Sequence, residues 1–186
     1  MLLGSCASVS VKRTRNNKVI DLSGHWNDTD SRLTAENIVA DCLARPWLKD
    51  FVAENGKKPV VIVGTIRNKS SEHIEVLTFV KDIEKELLNS GKVRFVASSE
   101  EREEVRDERL DQQSNATKET AKKLAAETGA DYMMKGTITS ITDSVKRQTV
   151  VKYQVSMELI HLQTNEKVWI GSNEVKKQIK HSAAGW

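Results

Sequence analysis

The sequence predicts an α/β fold: a two-layer or three-layer sandwich whose mixed sheet ends in a C-terminal antiparallel three-strand meander packed by helices. Three observations predict it. In residues 149–159, Val151, Tyr153, Val155, Met157 and Leu159 point one way while Lys152, Gln154, Ser156 and Glu158 point the other, the period of a strand with one wetted face. Similar segments flank it, with Tyr132, Met134, Gly136 and Ile138 on one side before it and Val168 to Val175 after it, joined through Asp143-Ser144 and Thr164-Asn165, which read as hairpin turns. Upstream, the order strand, helix, strand between residues 59 and 96 requires a parallel pair, so the sheet is mixed.

The elements follow in order. Residues 1–18 read as a lipobox and a short basic tether, 19–180 as a single domain and 181–186 as a disordered tail. Val19-Ile20 are expected to pair briefly with the sheet, and residues 21–30 are loop chemistry ending in helix caps. The first helix places Ala35, Ile38, Val39, Cys42 and Leu43 on one face, which makes Cys42 a core thiol. Arg45 before Pro46 interrupts it and lets a second short helix start with proline in its first turn; Trp47 and Phe51 form its apolar pair and Asn55-Gly56 stops it. Residues 59–66 hold a continuous apolar run that asks for cover on both faces, as a central strand does. A turn over Arg67 to Ser71 leads to a helix with Val76, Val80, Ile83 and Leu87 on one side, closed by Asn89-Ser90-Gly91, and then to a short strand, Val93 to Val96. Ser98 to Gln113 is a polar helix whose Arg102, Arg106 and Arg109 form one stripe, flanked by Val105 and Leu110, and Thr117 to Thr128 is an ordinary amphipathic helix.

Charge narrows the function. The net charge of +3 is carried by Lys12, Arg13, Arg15 and Lys18, in a stretch with no acidic residue; without them 25 basic residues face 26 acidic ones. The folded part is not basic, so a nucleic-acid face is not indicated. Catalytic patterns are missing too. His25, Asp28 and Asp30 lack a second histidine at metal-binding spacing and read as caps beside a surface imidazole, and Glu72-His73 lacks the second histidine of a zinc-protease helix. No phosphate loop, nucleophile elbow or dinucleotide glycine pattern occurs, so no enzyme activity, metal or cofactor is expected.

The most specific short signal is Leu3-Gly4-Ser5-Cys6, which fits the lipobox of bacterial lipoproteins, where the cysteine is acylated and becomes the N-terminus. Only five residues precede Cys6, short of the apolar run a secretory leader needs. Either the true start lies further upstream, or Cys6 is a terminal thiol and the match is accidental.

Four stretches taken together carry a resemblance: DLSGHWNDTDSRLTAENIVADCLARPWL from Asp21, KPVVIVGTIRNKSSEHI from Lys58, GADYMMKGTI from Gly129 and TNEKVWIGSNEVKK from Thr164. In that order, behind a lipobox, the chain resembles the penicillin-binding protein activator LpoB family. The resemblance implies an outer-membrane lipoprotein whose periplasmic domain, similar to the N-terminal domain of TolB, binds and stimulates a bifunctional (class A) penicillin-binding protein, with no catalytic residues and no cofactor. The tether here is short and lacks the long proline-rich linker of the enterobacterial form. The alternative class is a lipoprotein component of an envelope or secretion assembly, as in related curli-type export folds. A cell crosslink to a class A synthase, or to a ring of itself, separates the two. Candidate partner-binding residues are Trp26 and Asn27 in the loop before the first helix, Arg67, Asn68 and His73 in the loop after the central strand, and Arg102 and Arg106 on the polar helix.

Overall fold

The structure, a computed structural model, describes residues 10–15, 18–96, 99–114 and 129–180. Cys6, the helix expected over 117–128 and the 181–186 tail lie outside the described residues, as do the side chains of Arg109 and Leu110.

Along the chain run α1 (Asp28–Leu43), α2 (Pro46–Asn55), β1 (Val60–Asn68), α3 (Val76–Asn89), β2 (Arg94–Phe95), α4 (Ser99–Ser114), β3 (Tyr132–Val145), β4 (Gln148–His161) and β5 (Lys167–Lys180). The strands form one mixed sheet in the order β2-β1-β3-β4-β5. β1 is parallel to both β2 and β3, and β3, β4 and β5 form the antiparallel meander. The helices explain themselves locally. Asn27 caps α1 through its side chain, which accepts from Thr29 N and Asp30 N, while Asp30 reaches back to Asn27 N. Pro46 opens α2 and Gly56, left-handed at φ +63°, closes it.

α1 lies on α3 and β5, and α3 lies on β1, so the helices cover one sheet face. Between them is the core. Val151, Tyr153, Val155, Met157 and Leu159 of β4, all buried, meet Ile38, Val39 and Cys42 of α1 and Phe79, Ile83 and Leu87 of α3. Phe79, fully buried, was not on the expected helix face, whose Val76 and Val80 only pack against the core's margin. Burying a side chain of that size contributes roughly 2–3 kcal/mol. The run Val60 to Val63 is buried throughout, in an interior strand between β2 and β3. β3 and β4 approach closely at Gly136, where a Cβ would lie 2.4 Å from Ser156 O and 2.2 Å from Met157 Sδ.

Two expectations are corrected. The β3-β4 turn is not at Asp143-Ser144: these residues stay in the ladder opposite Val150 and Thr149, with Ser144 Oγ 3.0 Å from Thr149 Oγ1. The connection is Lys146-Arg147, where Lys146 has φ +53°. A two-residue hairpin requires positive φ, and the register between two matched 14-residue strands, rather than turn-forming composition, decided which residue adopts it. Val19-Ile20 form no strand. The chain that follows is held to the inward side of β5 through Asp21 and Lys177 rather than paired along that strand's outer edge.

Candidate functional site

The loop before α1 and the loop after β1 are 46 residues apart in sequence and meet at one carboxylate, Glu72. Glu72 accepts hydrogen bonds from the Tyr153 hydroxyl on β4 and from Trp26 N (3.2 Å), and His25 Nδ1 lies 2.9 Å away. Burial pushes its pKa up, but the donors from Tyr153, His25 and Trp26 outweigh burial and hold the carboxyl below its ordinary range. Burial, with the same contact, pushes the Tyr153 hydroxyl well above its usual value. Trp26 stands edge-on to Phe79 and Tyr153, at centroid distances of 6.2 and 5.5 Å, closing the core beneath this junction.

A second junction lies beside it. Lys177 on β5 is 8% exposed and its ammonium touches Asp30 (2.5 Å), Asp21 (2.7 Å) and the His25 carbonyl (2.8 Å). Burial disfavours its charge, yet the hydrogen bonds to Asp21 and Asp30 prevail and raise its pKa. Asp21 also accepts from Asn27 Nδ2 (2.8 Å), and Gly24, at φ +76°, crosses so close to β5 that a Cβ would lie 2.4 Å from Ile179 Cγ1. Residues 21–27 are thus a strap bound across the end of β5.

The opposite sheet face is different in kind: no helix is packed over its β3-β4-β5 part among the described residues. It carries a concavity of about 490 Å³ lined by Arg67, Met133, Lys135, Thr137, Glu158 and Ile170. Glu158 sits between Lys167 (2.5 Å) and Lys135 (3.3 Å), and the two lysines, Lys167 first, hold its carboxyl below its ordinary range against the effect of burial. Arg67, exposed at the rim, has no acidic partner among the described residues.

The candidate residues therefore divide. Trp26 and Asn27 pack and cap, and Asn68 builds its own turn, donating to Glu72 O (2.7 Å) and accepting from Ser70 N (2.9 Å). Arg67 and His73 are exposed. Arg102 is half-buried and Arg106 exposed on α4, both engaged within the molecule, and α4 is linked to α3 by the Lys81 to Glu101 pair (2.6 Å). Asp30, weighed above as a metal ligand, is instead the capping partner of Asn27 and the counter-ion of Lys177. Sequence reasoning missed Glu72 as a hub, since nothing local marks it. Lys177 did leave a signal: the alternation of β5 puts it in the inward register of Trp169, Val175 and Ile179, where an unpaired lysine is not tolerated.

A mixed sheet covered by helices on one face, with its polar clusters engaged in holding loops and, among the described residues, no helix over the β3-β4-β5 part of its other face, defines a small α/β domain. The chain belongs to the LpoB family: the family model described as peptidoglycan-synthase activator LpoB matches residues 30–175. Among solved structures, it is similar to the LpoB C-terminal domain from Salmonella enterica at 20% identity and a TM-score of 0.49, covering 78% of this chain and 98% of that one. The LpoB C-terminal domain from Escherichia coli matches at 17% identity and a TM-score of 0.46, covering 82% and 99%. The NMR structure of Escherichia coli LpoB matches at 15% and 0.46, covering 96% and 85%. A comparison with curated proteins returned no match.

Proposed function

We propose that this chain is a lipid-anchored periplasmic regulator, held at the outer membrane through acylated Cys6, that binds and activates a class A penicillin-binding protein. The observation that carries the reading is the family match across residues 30–175, in a family of peptidoglycan-synthase activators. No helix among the described residues is long and apolar enough to cross a membrane, so a membrane hold by helix insertion is not what these residues supply. The open sheet face is the surface offered to the synthase. Arg67 and His73 contact it directly, Trp26, Asn27 and Asn68 hold the two loops in place, and Arg102 and Arg106 form a second basic stripe on α4.

The test is glycan polymerisation by a purified class A synthase. Adding the chain raises the rate, and Arg67→Glu removes most of the gain without moving the thermal midpoint, because Arg67 is an exposed rim residue. No stimulation by the parent chain would overturn the activator reading. In cells, Cys6→Ser behind a full leader moves the protein to the soluble periplasm; unchanged fractionation removes the lipoprotein part alone. Crosslinking that catches a ring of the chain itself favours an envelope or secretion assembly.

A further inference from the structure

The β3-β4 hairpin ends in exposed residues. Residues 143–148 at its tip are all exposed, and so are Ile141 (71%) and Val145 (66%), which no packing requirement places there. Alternation puts Ile141, Asp143 and Val145 of β3 on the open face with Val150 and Lys152 of β4 and Lys176, Gln178 and Lys180 of β5. The register sets them in rows: Ile141, Lys152 and Lys176 side by side, then Asp143, Val150 and Gln178, then Val145, Gln148 and Lys180. Lys146 and Arg147 form the turn itself. Lys152 is paired with Glu174 (2.7 Å), whereas Lys146, Arg147, Lys176 and Lys180 have no acidic partner among the described residues. One end of the sheet thus presents aliphatic side chains ringed by cations, with Asp143 among them and Glu174 engaged by Lys152.

The tether leaves the domain at this same end. Asp21 is bound to Lys177 and Gly24 crosses Ile179, and these β5 residues pair with Val151 and Thr149 just behind the hairpin tip. The next cations up the chain are Lys18, Arg15, Arg13 and Lys12.

We propose that the β3-β4 hairpin tip is a membrane-apposing surface that rests on an anionic phospholipid leaflet, Lys146, Arg147, Lys176 and Lys180 meeting phosphate headgroups and Ile141 and Val145 entering the interfacial layer. The pattern of exposed aliphatics within a basic rim is what an interfacial site needs, since apolar contact and attraction to anionic headgroups add. The surface orients the domain: with the tip down on the leaflet, the concavity around Arg67 and Lys135, further along the same sheet face, is held at a fixed height and angle. This role goes beyond regulator activity and does not depend on acylation.

The test uses the full chain carrying Cys6→Ser, so that no acyl chain contributes, in co-sedimentation with vesicles of phosphatidylcholine alone or with phosphatidylglycerol. The expected result is binding to the anionic vesicles only, weakened about tenfold by Lys146→Glu with Arg147→Glu and lost at high salt. Ile141→Ser with Val145→Ser lowers it several-fold, and Lys92→Glu, an exposed charge near the opposite edge of the sheet, leaves it unchanged. Replacing Lys12, Arg13, Arg15 and Lys18 by Gln measures the tether's own share. Binding that the hairpin variants do not change, or that only the tether variant abolishes, would overturn the proposal. So would competition by inorganic phosphate, which marks an ion site, or retention on a soluble polyanion with no vesicle binding. Synthase stimulation in solution is expected to survive Lys146→Glu with Arg147→Glu; its loss would give the tip to the synthase and refute the membrane role while leaving the activator reading standing.

Discussion

Glu72 shows how one side chain ties the two loops together. Its carboxylate gathers a backbone amide and an imidazole from the strap and a phenol from β4, at a site where the Tyr153 ring is fully buried. Glu72→Gln keeps the shape but turns one oxygen into a donor facing donors, so a loss of about 1–3 kcal/mol is expected in urea unfolding at neutral pH. The pH dependence fixes the sign. Because the folded pKa lies below the unfolded one, the contribution is fully present above the unfolded value of about 4.3 and is lost as pH falls through the folded pKa. The gap between parent and Glu72→Gln should therefore be widest near neutrality and close as the pH is lowered; a gap that grows toward acid would contradict the assigned hydrogen bonding. Cys42 needs no such role: fully enclosed, its thiol is pushed by burial up to about 12, and it acts as core volume.

The element that matters most is the strap of residues 21–27, which has no regular structure and is held by contacts of its side chains and backbone with the side chains of Lys177, Glu72 and Ile179. Lys177 holds it from β5 and Asn27 hands it over to α1, so strap, helix start and edge strand form one unit. Lys177→Met removes the cation between two carboxylates, one of them, Asp30, almost enclosed. Truncating one partner of such a pair costs roughly 3 kcal/mol. The measurement is chemical denaturation combined with amide exchange: residues 21–27 should exchange faster even where the sheet stays protected, and an unchanged strap would mean that Gly24 against Ile179 suffices. Trp169 does a similar job further along β5, donating from Nε1 to Asp41 Oδ2 (2.9 Å) and joining α1 to the same strand.

At the scale of the whole molecule the question is reach. Twelve residues, Ala7 to Lys18, separate the proposed anchor from the domain. Fully extended at ~3.3–3.6 Å each they span about 40–43 Å, and as a flexible coil nearer ~20 Å. The domain is then held close to its membrane, within range for the hairpin tip to touch it, and the synthase must extend toward the activator. A Gly/Ser insert in the tether is expected to leave synthase activation in cells intact or to lower it modestly through reduced effective concentration. A sharp gain on lengthening would show that reach was limiting and that this geometry is wrong.

Periodicity by itself determined the mixed sheet, the meander, the helix-covered face of β4 and the central place of β1, because hydrophobic spacing and crossover rules act locally or between neighbours in sequence. It also placed the caps at Asn27, Pro46 and Gly56 within loops and helix ends where they act. What only the tertiary structure decided are the long-range meetings: Glu72 with Trp26, His25 and Tyr153; Lys177 with Asp21 and Asp30; and the turn at Lys146-Arg147 set by strand register. Those meetings moved Trp26, Asn27 and Asn68 into scaffold contacts and left Arg67 and His73 at the surface. The reason is physical. A strand's alternation says which side chains share a face, but whether a polar one on that face is buried, paired or exposed depends on what a segment 46 to 156 residues away brings to it.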